Sequence, residues 1–137
     1  MSKTHIAFGR ATGWFEDEPI AVWFRLMSLN LDSEELPSSL SQGDTQELCD
    51  ALLIQSKLYG VSNLLGMSFD MYLHKESDFR HFRAAVMRLN TIIAAFGKSI
   101  DSNTLRALGF SRQLAREITT EELLSVASGV LSVIPKT

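Results

Sequence analysis

The sequence is short of most features that announce a chemistry. It holds one cysteine, Cys49, in 137 residues, so no internal disulfide can form and the fold must rest on packing. That usage fits a reducing compartment. No apolar run approaches the roughly 18 residues that cross a bilayer. The opening Met1-Ser2-Lys3-Thr4-His5-Ile6-Ala7-Phe8-Gly9 lacks the apolar centre of a secretory leader. A cytoplasmic protein without membrane contact is the expectation. Gly-x-Gly-x-x-Gly, the P-loop pattern and Gly-x-Ser-x-Gly are all missing, which removes the commonest phosphate cradles and the hydrolase elbow.

The residues that could replace those motifs do not assemble into a site. Cys49 stands beside Asp50 and near Glu47, charges that oppose a thiolate, so a buried structural cysteine is the reading. Asp70, His74, Asp78 and His81 would share one face of an unbroken helix and are metal-ligand types. A polar connection, His74-Lys75-Glu76-Ser77, interrupts that helix and scatters them. With no acid and base paired, the chain reads as a non-enzyme with no cofactor and no metal.

What is present is helical periodicity. Phe79, Phe82, Val86, Leu89, Ile93, Phe96 and Ile100 step by threes and fours, which places them on one side of an α-helix. Ser77 and Asp78 offer N-caps to it, and Gly97 and Asn103 offer stops. A second such row, Ala51, Ile54, Leu58, Val61 and Leu65, predicts a long helix over about 45–74, kinked near Gly60 and started by Asp44 or Thr45. The two stripes predict an antiparallel hairpin of 45–74 and 77–98 at the centre of the fold. The opposite side of the second helix reads Arg80, Ala84, Arg88, Thr91, Ala95 and Lys98. Its small residues suit a central helix covered on two sides, or else a self-association surface and hence a homodimer.

The remaining segments fill in around that pair. Residues 18–30 predict a helix opened by Pro19, with a buried strand over 20–26 as the competitor. Residues 4–16 predict an irregular arm, with room for a short extended piece, broken by Gly9 and Gly13 and pinned to the core by Trp14 and Phe15. Residues 30–44 predict a long loop, with room for a helical turn at 33–40. Short helices are expected over 103–108, ending at Gly109, and over 112–118. Thr119 and Glu122 form a capping box for a last helix over 120–133. The fold class expected is therefore all-α: a single domain, 1–137, of about five to six helices. The tripeptide Leu108-Gly109-Phe110 resembles the loop of ubiquitin-associated domains, over too short a span to imply a family.

Charge supplies the functional reading. Residues 1–50 carry a net −6, residues 51–117 a net +4, and the whole chain −3. Solvated helix faces account for much of this. The sharper reading is an acidic surface built from Glu16, Asp17, Glu18, Asp32, Glu34 and Glu35 that meets a basic protein, a toxin or enzyme, and blocks it by contact. An immunity or antitoxin-type protein is the concrete form. The alternative is a regulator that binds a transcription factor or nucleic acid. It would use the helix-turn-helix-like segment 103–118, with Arg106, Arg112 and Arg116 on phosphates. The acidic balance of the chain argues against nucleic acid.

Overall fold

The computed structural model describes residues 3–32, 42–57, 67–110 and 117–136. The N-terminal arm is a β-hairpin. Strands β1 (Lys3–Phe8) and β2 (Ala11–Glu16) pair antiparallel from Phe8↔Ala11 to Lys3↔Glu16. The loop between them is Gly9-Arg10, and Gly9 has φ of +59°, the left-handed conformation that tight hairpin turns demand. A short strand, β3 (Met67–Ser68), adds to the other side of β1 in parallel, giving the order β2-β1-β3. A second, two-stranded sheet joins β4 (Ser99–Ile100) to β5 (Ile118–Thr119). These sheets overturn the all-α expectation. Gly9 and Gly13 do break helices, but the break at Gly9-Arg10 is a reversal between two six-residue arms, not a disordering of the chain.

The described residues also form five α-helices: α1 (Asp17–Asp32), α2 (Gln42–Lys57), α3 (Glu76–Ala95), α4 (Ser102–Ala107) and α5 (Thr120–Val133). The segment 20–26 is helical, as favoured, and not a strand. Helix α2 starts at Gln42, so Asp44 and Thr45 lie within its first turn and do not precede it. The expected unbroken helix 45–74 is wrong in its last part. Met67–Ser68 is a strand and Phe69–Met71 a single 3-10 turn, with Phe69 fully buried. The stretch that contains Gly60 and Gly66 lies outside the described residues, as do the turn expected at 33–40 and most of the helix expected at 112–118. The end of that last helix, at Ile118, is strand β5.

The centre of the molecule is α1, not the pair 45–74 and 77–98. Every residue from Ile20 to Ser28 is buried, and α1 packs most extensively on α2 and also on α3 and α5. A helix enclosed on all sides must satisfy its polar groups internally. Ser28 donates to the carbonyl of Cys49 on α2 at 2.9 Å, and Asn30 donates through Nδ2 to the carbonyl of Ala85 on α3 at 3.0 Å. Arg25 does most. Its Nε donates to Ser56 Oγ at 2.8 Å, its Nη1 donates to the carbonyl of Leu108, and its guanidinium lies 4.7 Å from the Phe110 ring centroid. No carboxylate among the described residues pairs with it. Burial lowers its pKa from the ordinary arginine value, and arginine remains charged at neutral pH all the same. The cation is thus held by a hydroxyl, a carbonyl at the negative end of α4 and an aromatic face. Gly109, with φ of +96°, makes this approach possible: a Cβ there would lie 2.5 Å from Arg25 Nη1.

Helix α3 buries Phe82, Val86, Leu89 and Ile93, as its spacing predicts, and Ala85 beside them. It begins at Glu76 and stops at Ala95, five residues before Ile100. Phe96 is then 38% exposed, and Ile100 reaches the core from a strand. The side bearing Arg80, Ala84, Arg88, Thr91, Ala95 and Lys98 is exposed, so α3 is not covered on two sides. Asp78 is buried at the start of the helix, where its Oδ2 accepts from the amides of His74 and Lys75 at 2.8 and 3.0 Å. Arg83 crosses to the C-terminus of α5 and donates to the carbonyls of Leu131 and Ile134 at 3.1 and 2.5 Å, a side-chain cap delivered from another helix.

Two outcomes follow from these contacts. Arg25→Met removes the donors that satisfy Ser56 and Leu108, and lowers stability by about 2–4 kcal/mol in chemical denaturation. Arg25→Lys recovers little of this, because an ammonium has no planar fork to bridge two acceptors while stacking on a ring. At α4, the Asp101 side chain accepts from the amide of Thr104 at 2.8 Å, and that bond holds its carboxyl below the usual range. A depressed carboxyl stabilises the fold above the unfolded value, about 3.9. The contribution disappears as pH falls through the lower, folded value. The protection factor of the Thr104 amide, measured against an unstructured amide at the same pH, therefore falls in acid, and Asp101→Asn, which keeps an N-cap without the charge, flattens that pH dependence.

Candidate protein-binding groove

An open groove of about 460 Å³, lined by described residues, lies between the hairpin and α5. One wall is the end of β2, with Trp14, Phe15 and Glu16, continued by Pro19 in the first turn of α1. The other wall is the start of α5, with Glu121, Glu122, Ser125 and Val126 behind Thr119. The lining contains three carboxylates and no cationic side chain.

Each part has a local cause. Residues alternate along a strand, so Gly13 and Phe15 turn inward while Thr12, Trp14 and Glu16 are exposed. Phe15 sets the distance between the walls. Its ring sits on Gly129 of α5, where a Cβ would come within 2.5 Å of Phe15 Cε1. Trp14 does not pin the arm to the core. It is 61% exposed and lies against His5 across the hairpin, with ring centroids 4.6 Å apart. Its neighbour in register is His5, so the pair shares the outer face of the sheet.

Thr119 caps α5 as the capping box predicts: its Oγ1 accepts from the amide of Glu122 at 3.1 Å, and Glu122 Oε2 accepts from the amide of Thr119 at 2.9 Å. Glu121 and Glu122 suit the positive end of the helix dipole. That structural role brings two carboxylates to the groove opposite Glu16.

Among the described residues, Glu16 is the member of the expected acidic set that lines this groove. Asp17 is turned inward and accepts from Thr4 Oγ1 at 2.7 Å. Glu18 is half-buried and does not line the groove. Asp32 ends α1, about 24 Å from Glu16 along a helix of this length. Glu34 and Glu35 lie outside the described residues. Of the alternative surface, Arg106 is exposed on α4, and Arg112 and Arg116 lie outside the described residues. Trp14 was legible in sequence only as a core aromatic, and Glu121 was not singled out; no periodicity marks residues that meet across two elements.

Asp70, in the 3-10 turn, and His74, in the connection before α3, are both exposed, Asp78 is buried, and among the described residues no three metal-ligand side chains converge. Cys49 is buried. No helix among the described residues is long and apolar enough to cross a membrane. No family model matches the chain, and no curated protein or solved structure shows significant similarity to it.

The wall spacing is testable. A helix-interior Gly→Ala change ordinarily stabilises by up to about 1 kcal/mol. Here Gly129→Ala pushes Phe15 outward and lowers stability by about 1–2 kcal/mol in urea unfolding, through overpacking.

Proposed function

We propose that this protein is a non-enzymatic binding protein that blocks a basic protein partner by direct contact, in the manner of an immunity or antitoxin-type inhibitor. The observation that carries the reading is the groove between β2 and α5. Glu16, Glu121 and Glu122 line it, and Trp14 stands exposed at its rim. A carboxylate-lined groove beside an exposed indole suits lysine and arginine side chains, which gain Coulomb attraction from the first and cation–π contact from the second. Tryptophan is also a residue type on which interface energy concentrates. The lining sets no base beside its hydroxyls, Thr119 and Ser125, an arrangement that suits binding more than catalysis.

The alternative surface at 103–118 has less to support it. Helix α4 is six residues long, Leu105 and Phe110 are used in the core, and Ile118 belongs to a strand. A reading helix needs more length than this to lie in a major groove.

The test is affinity capture at low and high salt, using wild type and the double variant Glu16→Lys/Glu121→Lys. A basic protein is expected at low salt, lost at high salt and reduced about tenfold or more by the double variant. Arg106→Glu is expected to leave it unchanged. Recovery of nucleic acid, or capture of a basic protein to the same extent by both forms, overturns the reading.

A further inference from the structure

The sheet β2-β1-β3 has an unguarded edge. Strand β2 is at its end, six residues long, with the sequence Ala-Thr-Gly-Trp-Phe-Glu. It carries no lysine, no proline and no charge before Glu16, the devices with which edges are usually blunted. A two-residue hairpin loop closes on a hydrogen-bonded pair, here Phe8 and Ala11, and the pairs then alternate. Gly13 and Phe15 therefore spend their backbone groups on Ile6 and Thr4. Thr12 and Trp14 direct theirs away from β1. Both residues are exposed, and among the described residues no other backbone hydrogen bond engages them. The edge also runs into the acidic groove, since Trp14, Phe15 and Glu16 form one of its walls.

We infer that β2 is a docking edge for an extended, lysine- or arginine-bearing segment of the partner protein, which adds as a further strand beside Thr12 and Trp14 and places a cationic side chain in the groove among Glu16, Glu121 and Glu122. The inference rests on the reading of the groove as a binding site for a basic protein, and states its mode. In strand addition the main chain supplies affinity, and pockets beside the edge supply specificity at alternate side chains. The groove is such a pocket, and its charge selects a cation. A second copy of this chain is a poor occupant. Pairing β2 with β2 would bring two sets of the same three carboxylates together, and like charges across an interface repel.

The probe is a synthetic peptide of alternating lysine and valine, with the glutamate–valine peptide as control, titrated into the intact protein. Hydrogen exchange of the Thr12 and Trp14 amides is followed by NMR. The lysine peptide is expected to bind and slow both amides, and the glutamate peptide to do neither. Thr12→Pro, which removes an outward N–H and blocks the edge while leaving the β1 pairing intact, is expected to weaken binding about fivefold to tenfold. The exchange measurement on wild type stands even where that variant folds poorly. Binding that depends on Glu16 and Glu121 but leaves both amides unprotected overturns strand addition and spares the acidic-surface reading. No binding of the lysine peptide overturns the inference. Protection that grows with protein concentration alone assigns the edge to a second copy and also overturns it.

Discussion

The rest of the structure depends on α1 being buried on every side. A helix in that position gains the full hydrophobic contribution of Ile20, Val22, Trp23, Phe24 and Met27, all at most 1% exposed. It also loses water as a hydrogen-bond partner for each polar group it carries. Arg25, Ser28 and Asn30 resolve this by reaching three different neighbours: α2 together with the end of α4, α2 alone, and α3. A polar side chain enclosed by apolar ones has few satisfactory arrangements, so these bonds fix how the surrounding helices are placed. Trp23 Nε1 is the exception: buried, and without a hydrogen-bond partner.

The groove is a by-product of the same constraint. The hairpin leads directly into the first turn of α1, so burying α1 fixes β2 at the surface. Helix α5 packs on α1 and on α3, and Phe15 seats the hairpin against it at Gly129. The two walls meet at Phe15 and diverge toward the start of α5, where its first-turn acids serve the helix dipole. The space that remains is acidic because a helix N-terminus favours carboxylates, and it borders an open strand edge because β1 has its second neighbour on the other side. Charge, aromatic surface and a strand edge thus coincide in one place. A binding role draws on all three at once.

Much of the helical content was legible in the residues. The last helix was read with its bounds and its capping box, because Thr119 and Glu122 act within one turn of each other. The glycine after α4 was read because a positive φ is a local demand. The inward stripe of α3 from Phe82 to Ile93 was read because that helix has one buried and one exposed face. The hairpin was missed although Gly9-Arg10 signals it, since the two glycines were weighed only as helix breakers. The groove was missed for a different reason: Glu16 and Glu121 are far apart in sequence, and nothing in either neighbourhood refers to the other.

The sequence by itself determined the local elements whose causes are local: caps, stops, and amphipathic stripes at half-exposed positions. It also shows which common phosphate-binding and hydrolase motifs it lacks. It misplaced the centre of the molecule, because periodicity marks a helix with a wet side, and α1 has none to show from Ile20 to Ser28. Only the tertiary structure decided that α1 is enclosed, that the N-terminal arm is an edge strand, and that β2 and α5 share a groove. Those are relations between segments distant along the chain. They are set by which surfaces can be buried together and by which buried polar groups find partners when they are.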